Sequence, residues 1–282
     1  MRYWEPPYHL RYYFGAIYYF RVQASHYRDG TRADMPQLRF MLSTEGEYHF
    51  WDGRSAVTPR ICILGPTMGA TSFTAHAADG VLRLFGVSVL PLGWQALGCE
   101  DAAGWVDRLY DAAEVHGPQY EDMFKRLRHL TEEDVEEGVN HLWAFLEQQL
   151  SPVPPMMFEL VNAIDHWLGD KPAPRIEDLL TATGLSARQV TRYTNRLYGA
   201  PPKLLARKYR ALRCASQIVL DKKSWIELCD EGSFYDQSHF IREIKQFLGH
   251  TPSQLLSDPS AVGRLTLQRR ALTGITKLNR IS

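Results

Sequence analysis

The chain is poor in the features that most readily betray chemistry. It has four cysteines in 282 residues, Cys62, Cys99, Cys214 and Cys229, and no two form a Cys-x-x-Cys pair. Thiols scattered in this way argue against a disulfide framework or a cysteine zinc site and read as reduced, buried side chains, with a redox switch between Cys214 and Cys229 as the lesser alternative. No apolar run approaches the roughly 20 residues of a membrane span. The N-terminus MRYWEPPYHLRYYF also lacks the basic, apolar and small-residue order of a signal peptide, so a cytoplasmic protein with no membrane partner is expected.

Catalytic motifs are equally scarce. There is no nucleophile elbow, no HExxH and no dinucleotide fingerprint. GPTMGAT, residues 65–71, is glycine-rich but lacks the lysine of a phosphate-cradling loop and reads as a hairpin connection. His9, His26, His49 and His76 stand singly, without a His-x-His pair, so neither a metal nor a cofactor is expected. The reading is of a protein that is not an enzyme.

What is present is an ordinary soluble composition, 45% apolar and 23% charged, in a chain long enough for about two domains. The formal net charge of zero conceals a split. Residues 1–150 hold 13 Lys and Arg against 20 Asp and Glu, a net of −7, while residues 151–282 hold 19 against 12, a net of +7. A polyanionic partner for the C-terminal half alone follows, because neutralised phosphates supply most sequence-independent affinity.

Residues 1 to about 90 are rich in short β-branched and aromatic runs, LRYYFGAIYYFRV, QLRFMLST, EYHFW, RICILG and VLRLFGVSV, separated by turn signals such as RDG, TEGE and WDGR. A small sandwich or barrel is expected there. Arg21, Arg39, His49 and Trp51 are candidates to line a site for a small effector, although packing is the commoner fate of such residues. From Leu92 the pattern turns helical, over Trp94–Leu97, Ala102–Ala113 and Tyr120–Leu130. TEED at 131–134 resembles a capping box opening a helix to about Leu150. SPVPP, residues 151–155, is the clearest linker.

Beyond the linker the logic of a helix-turn-helix appears twice. Ile176, Leu179 and Leu180 mark a short helix, Gly184 a turn, Ser186 an N-cap, and Ala187–Tyr198 a second helix with Arg188, Gln189, Arg192, Asn195 and Arg196 on its outer face. Pro201 or Pro202 then opens a long connecting helix. In the stretch Trp225–Leu255, a short helix at Ile226–Asp230 is interrupted by Gly232 and Ser233. Asp236 is placed to cap a helix Gln237–Leu248 that buries Phe240, Ile244, Phe247 and Leu248. Gln237, Ser238, Arg242 and Gln246 lie on or near its polar face, with His239 and Lys245 beside them; these residue types bond base edges and phosphates.

The run Phe234, Asp236, Gln237, Ser238, His239, Phe240, Arg242, Lys245, Gly249, Thr251, Pro252 resembles the C-terminal signature of AraC-type transcription regulators, and the match extends over about residues 156–257. Ser233 stands where that family usually has glycine, and Ile244 where it usually has phenylalanine. The resemblance implies an α+β chain: a β-rich, cupin-like sensor and dimerisation domain over 1–150, a DNA-binding domain of two helix-turn-helix units over 156–258, and a basic tail over 259–282. It also implies double-stranded DNA, RNA polymerase and a homodimer as partners, and a small-molecule effector in the N-terminal half. A regulator that responds to protein contact instead of a ligand, and an enzyme targeted to DNA, are the alternatives.

Overall fold

The computed structural model describes residues 1–43, 45–99, 101–170, 172–229, 234–257 and 268–281. Among them ten strands form two antiparallel sheets. They are β1 (Arg2–Trp4), β2 (Phe14–Gln23), β3 (His26–Thr31), β4 (Gln37–Met41), β5 (Glu45–Phe50), β6 (Ser55–Val57), β7 (Ile61–Leu64), β8 (Thr71–His76), β9 (Val81–Val89) and β10 (Leu109–Asp111). The larger sheet has the order β1-β2-β9-β4-β7-β10 and the smaller β3-β8-β5-β6.

Strand alternation explains why the larger sheet reads as nearly unbroken apolar sequence. Successive side chains point to opposite faces, and here both faces are covered. Ile17 and Tyr19 of β2, Leu38 and Phe40 of β4, and Phe85 and Val87 of β9 pack in one core with Trp94, Tyr120, Phe124, Leu142 and Leu146. Those partners come from α1 (Pro91–Ala96), α3 (Gln119–Arg128) and α4 (Val135–Gln148), with α2 (Ala112–His116) between. The neighbouring residues Tyr18, Phe20, Arg39, Met41, Leu82 and Leu84 turn the other way, towards the smaller sheet. The β-rich half is therefore a sandwich with helices on one outer face.

The C-terminal half is helical: α5 (Pro155–Asp170), α6 (Ile176–Thr183), α7 (Ala187–Tyr198), α8 (Pro202–Val219), α9 (Trp225–Leu228), α10 (Gln237–Leu248), α11 (Pro252–Ser257) and α12 (Lys277–Ile281). One apolar cluster joins Leu179, Val190, Leu197, Leu212, Phe240, Ile244 and Phe247, and it also takes in Ala33, Met35 and Met68 from the β-rich half.

Several local expectations need correction. The helix expected over Ala102–Ala113 is a 3-10 turn at Ala102–Trp105, then β10, then α2. Asp107 adopts a positive φ of 52°, which interrupts a helix, and the Asp111 carboxylate caps α2 by accepting from the Ala113 N–H at 2.8 Å. The TEED motif binds within itself, Thr131 Oγ1 donating to Asp134 Oδ2 at 2.6 Å, so α4 starts only at Val135. β3 and β8 were not expected as strands. HYRDGT contains the turn signal RDG, yet Gly30 pairs with Ser72 inside the ladder.

Candidate functional site

Two places in the fold are equipped to do something: the outer faces of α7 and α10, and the space between the sheets. Both helices are well started. Ser186 and Gln189 form a reciprocal capping box at the head of α7, and Asp236 Oδ1 accepts the His239 N–H at 2.6 Å at the head of α10. Gly184 provides the left-handed turn before α7, at φ 64°. Gly232 and Ser233, the corresponding turn before α10, lie outside the described residues.

On α7, Arg188, Gln189, Arg192 and Arg196 are exposed and Asn195 is half-buried. The three arginines have no ion pair among the described residues, whereas Gln189 Oε1 already accepts from the Ser186 hydroxyl at 2.8 Å. On α10, Gln237, Ser238, Arg242 and Lys245 are exposed. His239 is turned inward, its Nε2 3.0 Å from Glu243 Oε1. Glu243 has only 1% of its side chain exposed and also receives Arg207 Nε at 2.6 Å and Arg210 at 2.7 Å, both from α8. This buried carboxylate fixes α10 on α8. Arg207, Arg210, His239, Lys203 and Arg175 line an open basic groove between α8, α10 and the start of α6. Periodicity could not reveal that groove, because its residues come from two helices and the loop ahead of a third. Tyr235, also passed over in the sequence, is 94% exposed at the foot of α10.

The far end of α10 is held by the β-rich half. The last carbonyls of a helix have no partner within it. Here Phe247 O accepts the Ala33 N–H at 2.7 Å, and Gln246 O accepts the Ala70 N–H at 2.8 Å. Gln246, read as polar-face, spends its side chain near Met68 O, at 3.4 Å. Lys208 of α8 is buried and donates to Asp34 O at 2.7 Å and Thr67 O at 2.9 Å. Burial pushes its ammonium down to about 8.

α7 is tied to α5. Tyr198 donates its hydroxyl to Asp165 Oδ1 at 2.6 Å, and burial pushes the Asp165 carboxyl up to about 7. A raised carboxyl pKa means the folded chain holds the proton more tightly than the unfolded chain. Stability is therefore greatest at low pH and is lost as pH rises from about 4 through about 7. Asp165→Asn is expected to stabilise the chain above pH 7, with a gain that shrinks as pH falls towards 4. Urea midpoints at both ends of that range check it, and a gain independent of pH would defeat it.

The space between the sheets is a cavity of about 60 Å³. Its walls are mostly apolar, with Phe20, Met41, Phe73, Leu82 and Leu84, and its polar groups include Tyr3, Tyr18, Tyr48, Gln37, Asp34, Arg39 and Arg269. Arg39 donates through Nε to the Tyr18 hydroxyl at 2.7 Å and lies 5.3 Å over the Tyr48 ring. Arg269 comes from the C-terminal segment and bonds Asp34 Oδ2 at 2.6 Å and Ser88 Oγ at 2.9 Å. Burial alone would raise the Asp34 carboxyl; the charges of Arg269 and Arg32 outweigh it and hold the group below its ordinary value.

Of the four effector candidates, Arg39 alone is on the cavity wall. Arg21 pairs with Glu132 at 3.0 Å, His49 lies 4.0 Å from Glu47, and Trp51 donates to Asp107 Oδ2 at 2.9 Å while packing over Gly69. Each is occupied elsewhere because its strand position faces away from the gap or its loop lies outside it. Arg269 was invisible as a wall residue, since no local pattern says that the end of the chain returns to the sandwich.

Among the described residues α6 and α7 flank the left-handed turn at Gly184, and α8 leads from them to α10, an arrangement of the helix-turn-helix kind. Residues 179–258 match the family model HTH_18, a helix-turn-helix domain. The matched domain is of the AraC type. No curated protein sequence matches the chain. Among solved structures it is similar to ToxT from Vibrio cholerae O395, at 10% identity and a TM-score of 0.44, over 86% of this chain and 96% of that one. It is also similar to unsaturated fatty acid bound wild-type ToxT from Vibrio cholerae strain SCE256, at 9% identity and a TM-score of 0.45, over 85% and 94%. Among the described residues no helix is long and apolar enough to cross a membrane.

Proposed function

We propose that this protein is a cytoplasmic, sequence-specific transcription regulator that reads a bipartite DNA site with α7 and α10 and changes its DNA binding when a small effector enters the cavity. Arg188, Gln189, Arg192, Asn195 and Arg196 form the first reading face; Gln237, Ser238, Arg242 and Lys245 form the second, with His239 positioning it. Arginine suits guanine O6 and N7, and glutamine suits adenine N6 and N7. RNA polymerase is the downstream contact, a homodimer the working form, and the protein carries out no catalysis.

One observation carries the effector half of this reading: the loop between β3 and β4 belongs to both places. Asp34 faces the cavity and pairs with Arg269, while its carbonyl holds Lys208 of α8 and the adjacent Ala33 N–H holds the end of α10. A ligand that competed for Arg269 would shift the anchor of both helices. A small molecule that bound this cavity better in one arrangement of the loop than in another would shift the population between them, as an effector must.

The test is selection of purified protein on a random-sequence duplex library at two salt concentrations. Enrichment of a motif with two halves about one helical turn apart is expected. Binding without enrichment that vanishes with salt would overturn the reading.

A further inference from the structure

His26 and His76 stand fifty residues apart in the sequence, but the smaller sheet brings them together. His26 of β3 and His76 of β8 are directly paired across the ladder. Both are exposed, on the outer face of the sheet and away from the cavity. Their Nδ1 atoms are 2.6 Å apart, with ring centroids at 4.7 Å and the rings nearly perpendicular, at 83°. Without a metal, this contact requires one ring to donate a proton to the other. With each ring's proton moved to Nε2, both Nδ1 atoms are free to bind, and they are close enough for one ion to reach both.

From this geometry we propose that His26 and His76 form a surface site for a divalent transition metal of tetragonal preference, such as Cu²⁺ or Ni²⁺. Two nitrogens bound about 2.0 Å from a metal at a right angle stand about 2.8 Å apart, within a small ring movement of the observed spacing. A tetrahedral ion would need about 3.3 Å and a wider opening of the pair. Glu45 of β5 is paired with His76 on its other side, so a carboxylate belongs to the same row of the sheet. Among the described residues no group of three or more His, Cys, Asp or Glu converges. The protein therefore supplies two ligands and leaves the remaining positions to water. β3 is an edge strand, and the metal would pin its first residue to the last residue of β8, at the end of the ladder away from the loop that carries Asp34.

The full chain, stripped of metal with a chelator, is titrated with copper(II) chloride and followed by calorimetry and electron paramagnetic resonance. One copper per chain with hyperfine coupling to two imidazole nitrogens is expected, together with a melting temperature that rises with copper. His26→Gln and His76→Gln should each weaken binding at least tenfold and abolish the rise, while His49→Gln, elsewhere on the same sheet, should leave both unchanged. Absence of saturable binding, undiminished affinity in His76→Gln, or equal loss in His49→Gln would overturn the site. The substituted positions are exposed, so unaltered melting of the metal-free variants separates lost ligation from lost folding.

Discussion

Asp34→Ala is expected to destabilise the folded chain by about 3–5 kcal/mol, the cost of stranding a buried cation whose partner has been removed. Arg269, with 3% of its side chain exposed, would lose its carboxylate while Arg32 remains buried close by. The wild-type carboxyl sits below its ordinary pKa, so its contribution is present above the unfolded pKa and is lost as pH falls through the folded one. Urea unfolding of the variant should show a lower midpoint at neutral pH and a weaker acid limb. Asp34→Ala combined with Arg269→Met should recover much of the loss, because removing both charges also removes the desolvation cost. A double variant as unstable as Asp34→Ala alone would mean that backbone contacts of the loop, and not the ion pair, hold it.

Arg192→Ala is expected to weaken binding to the selected DNA site by about 1–3 kcal/mol and to relax sequence preference at one position. Arg192 is exposed, has no ion pair among the described residues, and lies over the Tyr193 ring at 5.1 Å. Lys245→Ala should instead weaken all sequences alike and lower the dependence of log affinity on log salt by about one. Competition against specific and random duplexes at several salt concentrations distinguishes the two. Equal losses on both duplexes for both variants would sink the assignment of α7 as a reading helix.

The helical half was legible because its signals are local. Ser186, Asp236, Pro202, Gly199 and Gly249 act within one turn of themselves, so both ends of α7 and α10 and the start of α8 could be read from sequence. The strands with dense apolar runs were legible for the same reason. β3 and β8 were not, since each is half-exposed and their pairing joins residues far apart in sequence. The polar outer faces of α7 and α10 could be named from helical periodicity, but the occupations of His239 and Gln189 could not. One depends on a buried glutamate that also gathers two arginines from α8, the other on a cap that uses the side chain locally. The cavity was hardest to foresee, because its polar groups come from strands, a loop and the returning end of the chain.

The alternation along β2, β4 and β9 gives neighbouring codons unrelated duties. Tyr19 is packed against the helices and Tyr18 against the cavity, and Phe40 and Arg39 divide in the same way. Substitutions at the inward set can reshape what the sandwich holds while the helix-covered core one residue away keeps the fold standing. A lineage of such proteins could therefore reshape the space between its sheets by drifting at every second position, with the helical half inherited untouched.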